Sequence, residues 1–156
     1  MTLLRSLLLS LALVFSTGTV AVSQDFERGL GAYQDGDYAT ALQEWRPLAE
    51  QGVAQAQYNL GLMYDNGWGV PQDYQEAVKW YRLAAEQGLA IAQFNLGVMF
   101  YDGRGVPQDR IIAHMWFNIA STNGYADAGA IRDIISELMS SADISKAQSM
   151  ARQCMA

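Results

Sequence analysis

Apolar side chains recur at helical spacing through most of the chain. Ala56 and Leu60 lie four residues apart, and Ala77 and Tyr81 begin a second stripe of the same kind. Side chains three or four residues apart share one face of an α-helix, so each stripe predicts a helix that buries one side. Small residues on these stripes, such as Gly61 and Ala77, predict that the two helix backbones pack closely.

The segment between the two stripes predicts a turn. Gly67 and Gly69 tolerate the positive φ that a tight turn needs, and Pro71 is unable to continue the first helix. Asp73 is expected to cap the second helix, and Glu76, three residues later, is expected to complete a capping box. The predicted unit is therefore a pair of antiparallel helices.

This helical unit is repeated. Residues 53–88 align with residues 89–124 at a constant offset of 36 residues and without a gap. Upstream, Ala41 keeps the register of Ala77, whereas the segment Phe26–Tyr33 fits only if its joining loop is four residues shorter. Self-similarity at a period of this length indicates stacked repeats.

Both units resemble the Sel-one-like repeat, a relative of the tetratricopeptide repeat. The matching residues are Ala-x-Ala-x-x-x-Leu-Gly at 54–61, Gly-x-Gly-Val at 67–70 and Ala-x-x-Trp-Tyr-x-x-Ala-Ala at 77–85. The resemblance implies an all-α fold, an α/α solenoid of about four helical hairpins, with no catalytic residues and no cofactor. It also implies a scaffold that holds other proteins together.

The outer segments complete the predicted solenoid. Residues 24–52 are predicted to form a first, tetratricopeptide-like hairpin, and residues 125–156 a C-terminal pair of capping helices. This last pair carries one apolar stripe, which consists of Ile131, Ile134, Ile135 and Leu138. Gly29 and Gly31 both fall within the first helix of the first hairpin, so we predict that this helix frays.

Residues 1–23 have the composition of an export signal. A short positive segment that ends at Arg5 precedes a leucine-rich run from Leu7 to Phe15, and Ala21-Val22-Ser23 fits the small-x-small pattern of a cleavage site. We therefore predict cleavage between Ser23 and Gln24 and a periplasmic or secreted protein. The alternative is an uncleaved membrane anchor, but the apolar run is far shorter than the ~20 residues that a spanning helix needs.

Composition narrows the function further. The chain has 156 residues, of which 51% are hydrophobic and 17% charged, and its net charge is −6. This acidity disfavours a nucleic-acid partner, which usually needs clustered Lys and Arg. One cysteine and one histidine exclude a disulfide framework, a cysteine-built zinc site and a histidine-rich metal site. The sequence has no Gly-x-Ser-x-Gly elbow and no phosphate loop.

The predicted partner-binding surface is the concave face, which the first helix of each hairpin lines in the tetratricopeptide-like arrangement. On the side opposite the core, these helices carry Phe26, Leu30, Tyr33, Gln55, Tyr58, Asn59, Leu62, Ile91, Phe94, Asn95, Val98 and Tyr101. Aromatic rings anchor interfaces, and Asn amides pair with an extended backbone. The alternative is that several of these side chains pack between adjacent units. The absence of Lys and Arg at these positions disfavours a carboxylate clamp and favours a neutral or basic partner segment.

Three other features have competing explanations. His114 aligns with Val78 of the preceding unit, which favours packing between helices over a ligand or a base. The loop aspartates are expected to cap helices or to be solvated, because the oxygen ladder of an EF-hand is absent. Trp68 stands where the next unit has Arg104, and it either covers the adjacent hairpin or contacts a partner at the rim.

Together these patterns predict a non-catalytic protein- or peptide-binding scaffold in the cell envelope, without a metal, a cofactor or a nucleic acid, and with membrane contact only during export. The protein is expected to be a monomer, although Cys154 is able to link two chains in an oxidising compartment. Two alternatives stay open. One is a cell-wall-directed hydrolase, as assigned to some cysteine-rich relatives, and the other is a regulatory subunit of a membrane sensor.

Overall fold

The computed structural model describes residues 22–154, which form eight helices and no strand. Residues 22–34 are helical and are called α1. The other helices are α2 (Tyr38–Glu50), α3 (Ala54–Asn66), α4 (Tyr74–Glu86), α5 (Ala90–Asp102), α6 (Arg110–Thr122), α7 (Ala126–Ser136) and α8 (Ser141–Cys154). The prediction of an all-α solenoid of hairpins is confirmed. The predicted export signal lies outside the described residues except for its last two positions.

From α2 to α7, each helix packs mainly on its neighbours in the chain, whereas α8 packs on α6 and not on α7. α3 packs on α4 and α5 on α6, while each second helix also contacts the first helix of the next pair. The buried side chains form two clusters, one centred on α2 and α3 and the other extending from α4 to α8. Contacts restricted to adjacent units are the pattern of a solenoid.

A glycine in the first helix of each of the first three hairpins faces an aromatic ring of the second helix. The pairs are Gly29 with Trp45, Gly61 with Tyr81 and Gly97 with Phe117, and a Cβ at each glycine would lie less than 3.0 Å from the ring. All three rings are almost fully buried. The close approach predicted at Gly61 is therefore between the glycine and the Tyr81 ring, and not between two helix backbones. The packing of the ring offsets the poor helix propensity of glycine.

The first hairpin has this same packing. The Trp45 indole donates a hydrogen bond to the Phe26 carbonyl oxygen at 3.2 Å. The loop at residues 35–37 is four residues shorter than the loop at residues 67–73, as the repeat alignment predicts. Val22 packs against the first core cluster, so the predicted cleavage would remove one apolar contact from α1. Fraying of this helix stays a prediction.

The capping box predicted at the start of α4 forms only in part. The Asp73 carboxylate accepts hydrogen bonds from the backbone N–H groups of Gln75 and Glu76 at 2.9 and 3.0 Å. The reciprocal bond is missing because the Glu76 side chain pairs with Lys79. The Asp73 N–H instead donates to the Tyr64 carbonyl oxygen at 2.9 Å. The cap is confirmed, and the box is wrong.

The C-terminal helix pair does not bury its predicted apolar stripe. Ile135 is 2% exposed and Ile131 packs against the core, but Ile134 and Leu138 are 61% and 56% exposed. α7 packs on α6 through the side that carries Ile135, while its other side faces solvent. The prediction of one stripe that closes the apolar end of the solenoid is therefore wrong for Ile134 and Leu138.

Candidate protein-interaction site

The predicted partner-binding residues all lie at least partly at the surface, on the side of α1, α3 and α5 that we call the first-helix face. Gln55 is exposed. The other eleven are half-buried: Phe26, Leu30, Tyr33, Tyr58, Asn59, Leu62, Ile91, Phe94, Asn95, Val98 and Tyr101. Each of them is therefore available in part to a partner and in part to the scaffold.

The aromatic rings of this face rest against the rings that fill the glycine positions. Phe26 lies 6.0 Å from Trp45, Tyr58 lies 5.9 Å from Tyr81, and Phe94 lies 5.4 Å from Phe117, measured between ring centroids. The same two positions of the unit are thus aromatic in three successive hairpins. One side of each outer ring is fixed by packing, which lowers the entropy that the ring would lose on binding a partner.

Two residues outside the predicted partner-binding set extend this face, and one of them, Ile134, was predicted to be part of a buried stripe. Tyr125, at the start of α7, stacks on Phe94 with ring centroids 4.5 Å apart. Its equivalents are Val53 and Leu89, so the repeat contains no signal for an aromatic ring there. Ile134 lies 36 residues after Val98, and a strict application of the repeat would have found it.

Polar side chains meet between α3 and α5. The Tyr81 hydroxyl donates to Asp65 Oδ2 at 3.3 Å, and the Asn95 amide faces the hydroxyls of Tyr58 and Tyr81. Burial raises the pKa of Tyr58 to about 12, with smaller contributions from the nearby Tyr125 and Tyr33. Burial also raises the pKa of Tyr81, and the Asp65 carboxylate adds to the effect. Both phenols are therefore neutral and able to donate a hydrogen bond at physiological pH.

The loops of the second and third hairpins each reach back onto the preceding hairpin. Gly69 and Gly105 have φ of +71° and +70°. A Cβ on either glycine would lie less than 3.0 Å from a backbone carbonyl oxygen, that of Tyr38 or Tyr74 respectively. The positive φ of Gly69 is as predicted, but the reason for glycine is also the close approach of the neighbouring unit.

We call the first of these contacts the first joint, formed by Tyr33, Tyr38 and Trp68. The Trp68 ring stacks on Tyr38 at 5.4 Å and 8° and meets Tyr33 edge-on at 5.6 Å. Of the two explanations for Trp68, the structure supports the cover over the adjacent hairpin.

The second joint is formed by Asp65, Tyr74 and Arg104. Arg104 Nη1 binds Asp65 Oδ1 at 2.9 Å, and its guanidinium carbon lies 5.5 Å from the centre of the Tyr74 ring. Arg104 and Tyr74 are 36 residues after Trp68 and Tyr38, so the two joints occupy the same place in successive units.

The comparison with known families rests on these units. The family model of the Sel1 repeat matches residues 54–89 and 90–125, which begin one residue after the boundaries predicted from the internal repeat. The chain contains two Sel1 repeats within an α-solenoid. Sel1 repeats are generally protein-interaction scaffolds and are typically non-catalytic. No curated protein matches the sequence.

Two solved Sel1-type structures are similar over most of this chain. One is c5321, a protective antigen present in uropathogenic Escherichia coli strains that displays an SLR fold. It is 32% identical with a TM-score of 0.82, over 86% of this chain and 30% of c5321. The other is a Sel1 repeat protein from Oxalobacter formigenes, 33% identical with a TM-score of 0.66, over 69% of this chain and 44% of that protein. This chain therefore spans less than half the length of either relative.

Buried glutamines connect successive Sel1 units. Gln57 Nε2 donates to the Ala49 carbonyl oxygen at 3.0 Å, and Gln57 Oε1 accepts from Gln87 Nε2 at 2.7 Å. In the next unit, Gln93 makes the equivalent bonds to Ala85 and Asn123 at 2.9 Å each. The repeat alignment contained both glutamines, but it did not indicate that they join three helices.

The remaining candidates pack within the scaffold or are exposed. His114 is 1% exposed and its Nε2 lies 3.0 Å from Ser136 Oγ, so it packs between helices. Burial lowers its pKa. Cys154 is exposed. Within residues 22–154, no three His, Cys, Asp or Glu side chains are grouped as metal ligands. In the same range, no helix has the length and hydropathy needed to cross a membrane.

Proposed function

We propose that this Sel1-repeat protein is a non-catalytic adaptor of the cell envelope that binds a segment of another protein on its first-helix face. The observation that supports this most directly is the series of half-buried rings, Phe26, Tyr58 and Phe94, each backed by a buried ring of the second helix. Partly fixed aromatic side chains are the usual anchors of protein interfaces.

The chemistry of the face favours a neutral or basic partner segment. Asn59 and Asn95 offer amides at the surface, and Tyr58 offers a neutral hydroxyl, all of which are able to pair with an extended backbone. Arg104, the cation nearest to this polar cluster, is already paired with Asp65. The net charge of the chain is −6, and none of the described residues assigned to this face is a Lys or an Arg, so these residues offer no cation to an acidic segment.

Location in the envelope is part of the proposal and depends on residues 1–23. Their positive start, leucine-rich run and small-x-small end support export and cleavage between Ser23 and Gln24. Mass spectrometry of the protein recovered from the periplasm should find Gln24 at the N-terminus. An intact N-terminus in the membrane fraction would contradict export with cleavage.

Photo-crosslinking from single positions tests the binding face. A photoreactive residue at Gln55 or Ile91 places the probe on the first-helix face, and one at Gln43, an exposed residue of α2, is the matched control. We expect one partner to be trapped from positions 55 and 91 and none from position 43. Trapping of the same partner with equal yield from position 43 would show that another surface binds it.

A matched pair of substitutions then measures the contribution of the face. Gln55→Arg and Gln43→Arg exchange the same side chain at exposed helical positions, so they should have similar effects on stability. Binding of the trapped partner should weaken with Gln55→Arg and stay unchanged with Gln43→Arg. Equal binding of acidic and basic peptide libraries by the unaltered protein would refute the proposed charge preference.

A further inference from the structure

Three large apolar side chains are exposed in the described part of the chain. Leu83, on α4, is 44% exposed, and Ile134 and Leu138, at the end of α7, are 61% and 56% exposed. Exposed apolar side chains that lie together and are bordered by charge are typical of interaction sites. The first of these residues borders a groove, and the other two form a projecting patch.

Leu83 lines a groove of about 570 Å³ on the outer side of α4. Its other lining residues are Gln75, Val78, Lys79, Arg82 and Gly105, and we call this cavity the α4 groove. Lys79 is paired with Glu76 of its own helix. Within residues 22–154, the Arg82 guanidinium takes part in no salt bridge, so the groove combines apolar side chains with an unpaired cation.

The equivalent side of α6 is covered within the molecule. His114, Met115 and Ile119 stand 36 residues after Val78, Lys79 and Leu83, and they are only 1%, 6% and 3% exposed. α7 and α8 pack on α6 and exclude water there. The same side of the second helix is therefore covered in the third hairpin, on α6, and open to solvent in the second hairpin, on α4.

The exposed residues at the end of α7 carry the opposite charge. Ile134 is in α7, Glu137 is its C-cap residue with α-helical φ and ψ, and Leu138 follows in the turn, so the three exposed side chains lie together at the C-terminal end of α7. We call them the α7 patch. Glu137 is exposed and takes part in no salt bridge among the described residues, and the partial negative charge of the helix end adds to it.

We propose that the α7 patch of one copy of this protein binds in the α4 groove of a second copy. The groove presents the adjacent pair Arg82-Leu83, and the patch presents the adjacent pair Glu137-Leu138, so apolar contact and charge pairing occur together. α8 of a second copy fits less well, because it carries Lys146 and Arg152 and would bring further cations to a groove that already has Lys79 and Arg82. The contact joins two different surfaces and is therefore heterologous.

Such a contact involves few side chains and belongs to the small, weak class of interfaces. Self-association should therefore require protein concentrations of roughly 0.1 mM or more, and it should weaken with salt because one ion pair contributes. This inference does not depend on the partner proposed for the first-helix face, because the α4 groove lies on a second helix and the proposed anchors of that face are Phe26, Tyr58 and Phe94. Ile134 is the residue that belongs to both surfaces.

Sedimentation of the purified protein tests the contact, with reductant present so that Cys154 does not link two chains. The unaltered protein should show an average mass that rises above the monomer with concentration. Leu83→Asp places a negative charge in the groove, which repels Glu137, and Ile134→Asp removes the apolar contact of the patch, so each variant alone should stay monomeric. An equimolar mixture should recover a 1:1 complex, because one variant keeps the patch and the other keeps the groove.

Three results would overturn the proposal: a monomeric unaltered protein at about 1 mM, a single variant that associates as the unaltered protein does, or a mixture that stays monomeric. Gln43→Asp is the control for a new surface charge, and the helicity of every variant is measured. A second pair, Arg82→Glu and Glu137→Arg, should each weaken association roughly tenfold and restore it when mixed. Failure of this charge exchange would also count against the contact.

Discussion

The two joints between hairpins have the same backbone geometry and different chemistry. At the first joint, Trp68 packs on Tyr38 and Tyr33. At the second joint, Arg104 occupies the place of Trp68 and binds Asp65. Asp65 lies four residues after Gly61, just as Tyr33 lies four residues after Gly29, so both members of the pair have changed together.

This comparison separates what the backbone requires from what the side chains are free to vary. Gly69 and Gly105 approach the preceding hairpin so closely that a Cβ would overlap its backbone at either position. The residue before each glycine is free to vary as long as it matches its partner. Trp68 matches Tyr38 by ring stacking in the first joint, and Arg104 matches Asp65 by charge in the second. A solenoid is thus able to vary its joints without a change in the stacking of its units.

The largest expected effect is that of alanine at the second glycine of a joint. Gly105→Ala should destabilise the fold by about 3 kcal/mol or more, because backbone strain at positive φ adds to overlap with the Tyr74 carbonyl. Gly88→Ala is the control: Gly88 has φ of +87° but open space around it, so only the strain of about 1 kcal/mol applies. Urea unfolding followed by circular dichroism measures both. Equal losses would show that the close approach is unimportant.

The next largest effect distinguishes the two chemistries directly. Trp68→Ala should cost about 2 kcal/mol, since a half-buried ring loses two aromatic neighbours, whereas Arg104→Ala should cost about 1 kcal/mol. High salt should reduce the second loss and leave the first unchanged, because only charge is screened. Thermal unfolding at low and high salt checks this. A loss for Arg104→Ala that is unaffected by salt would contradict an ionic joint.

A double substitution converts the second joint into the chemistry of the first. Asp65→Tyr leaves Arg104 with only its longer contact to Asp102 at 3.4 Å, and Arg104→Trp leaves the half-buried Asp65 carboxylate without a cation, so each change alone should destabilise. The double variant should lose about 1 kcal/mol less unfolding free energy than the sum of the losses of the two single variants. A double-mutant cycle on unfolding free energies measures this coupling. Simple additivity would mean that the pair is not matched.

The smallest expected effect concerns Tyr58, which lies between the joints. Its pKa rises from 10.0 to about 12 on folding, so between these values the unfolded chain has lost a proton that the folded chain keeps. Stability should therefore be complete below pH 10 and fall as the pH rises towards 12. In Tyr58→Phe, the loss of unfolding free energy with rising pH should be smaller by about 1 kcal/mol. This figure is reduced from the full effect of the pKa shift because part of the Tyr58 ring is exposed to solvent. Unfolding at pH 8 and 11 checks the difference, and an unchanged fall would exclude Tyr58 as its source.

Much of the repeat could be predicted because it is local. The turn glycines, the Asp73 cap and the shorter loop of the first hairpin all depend on residues within one unit. The difference between Trp68 and Arg104 is also visible in the alignment. The partners of these two residues are not, because Asp65 and Arg104 are 39 residues apart and meet only when two units stack.

The candidate site shows the same division. The sequence placed a row of aromatic residues opposite the core, but half of each ring is used by the scaffold, and Tyr125 joins the row without any signal in the repeat. The helical stripe at Ile131 to Leu138 is correct as a periodicity only as far as Ile135, because α7 ends at Ser136, and it is wrong as a buried surface at Ile134 and Leu138. Periodicity specifies which side chains share a face, but it does not specify whether another helix covers that face.

By itself, therefore, the sequence determined the helices, their pairing and the period of 36 residues, because propensity, caps and helical periodicity act over a few residues. Only the tertiary structure decided which side chains the neighbouring units cover. It placed Gln57 between three helices, paired Asp65 with Arg104, and left Leu83 and Ile134 exposed. The physical reason is that burial and pairing depend on atoms contributed by another unit, whose position follows from stacking and not from local sequence.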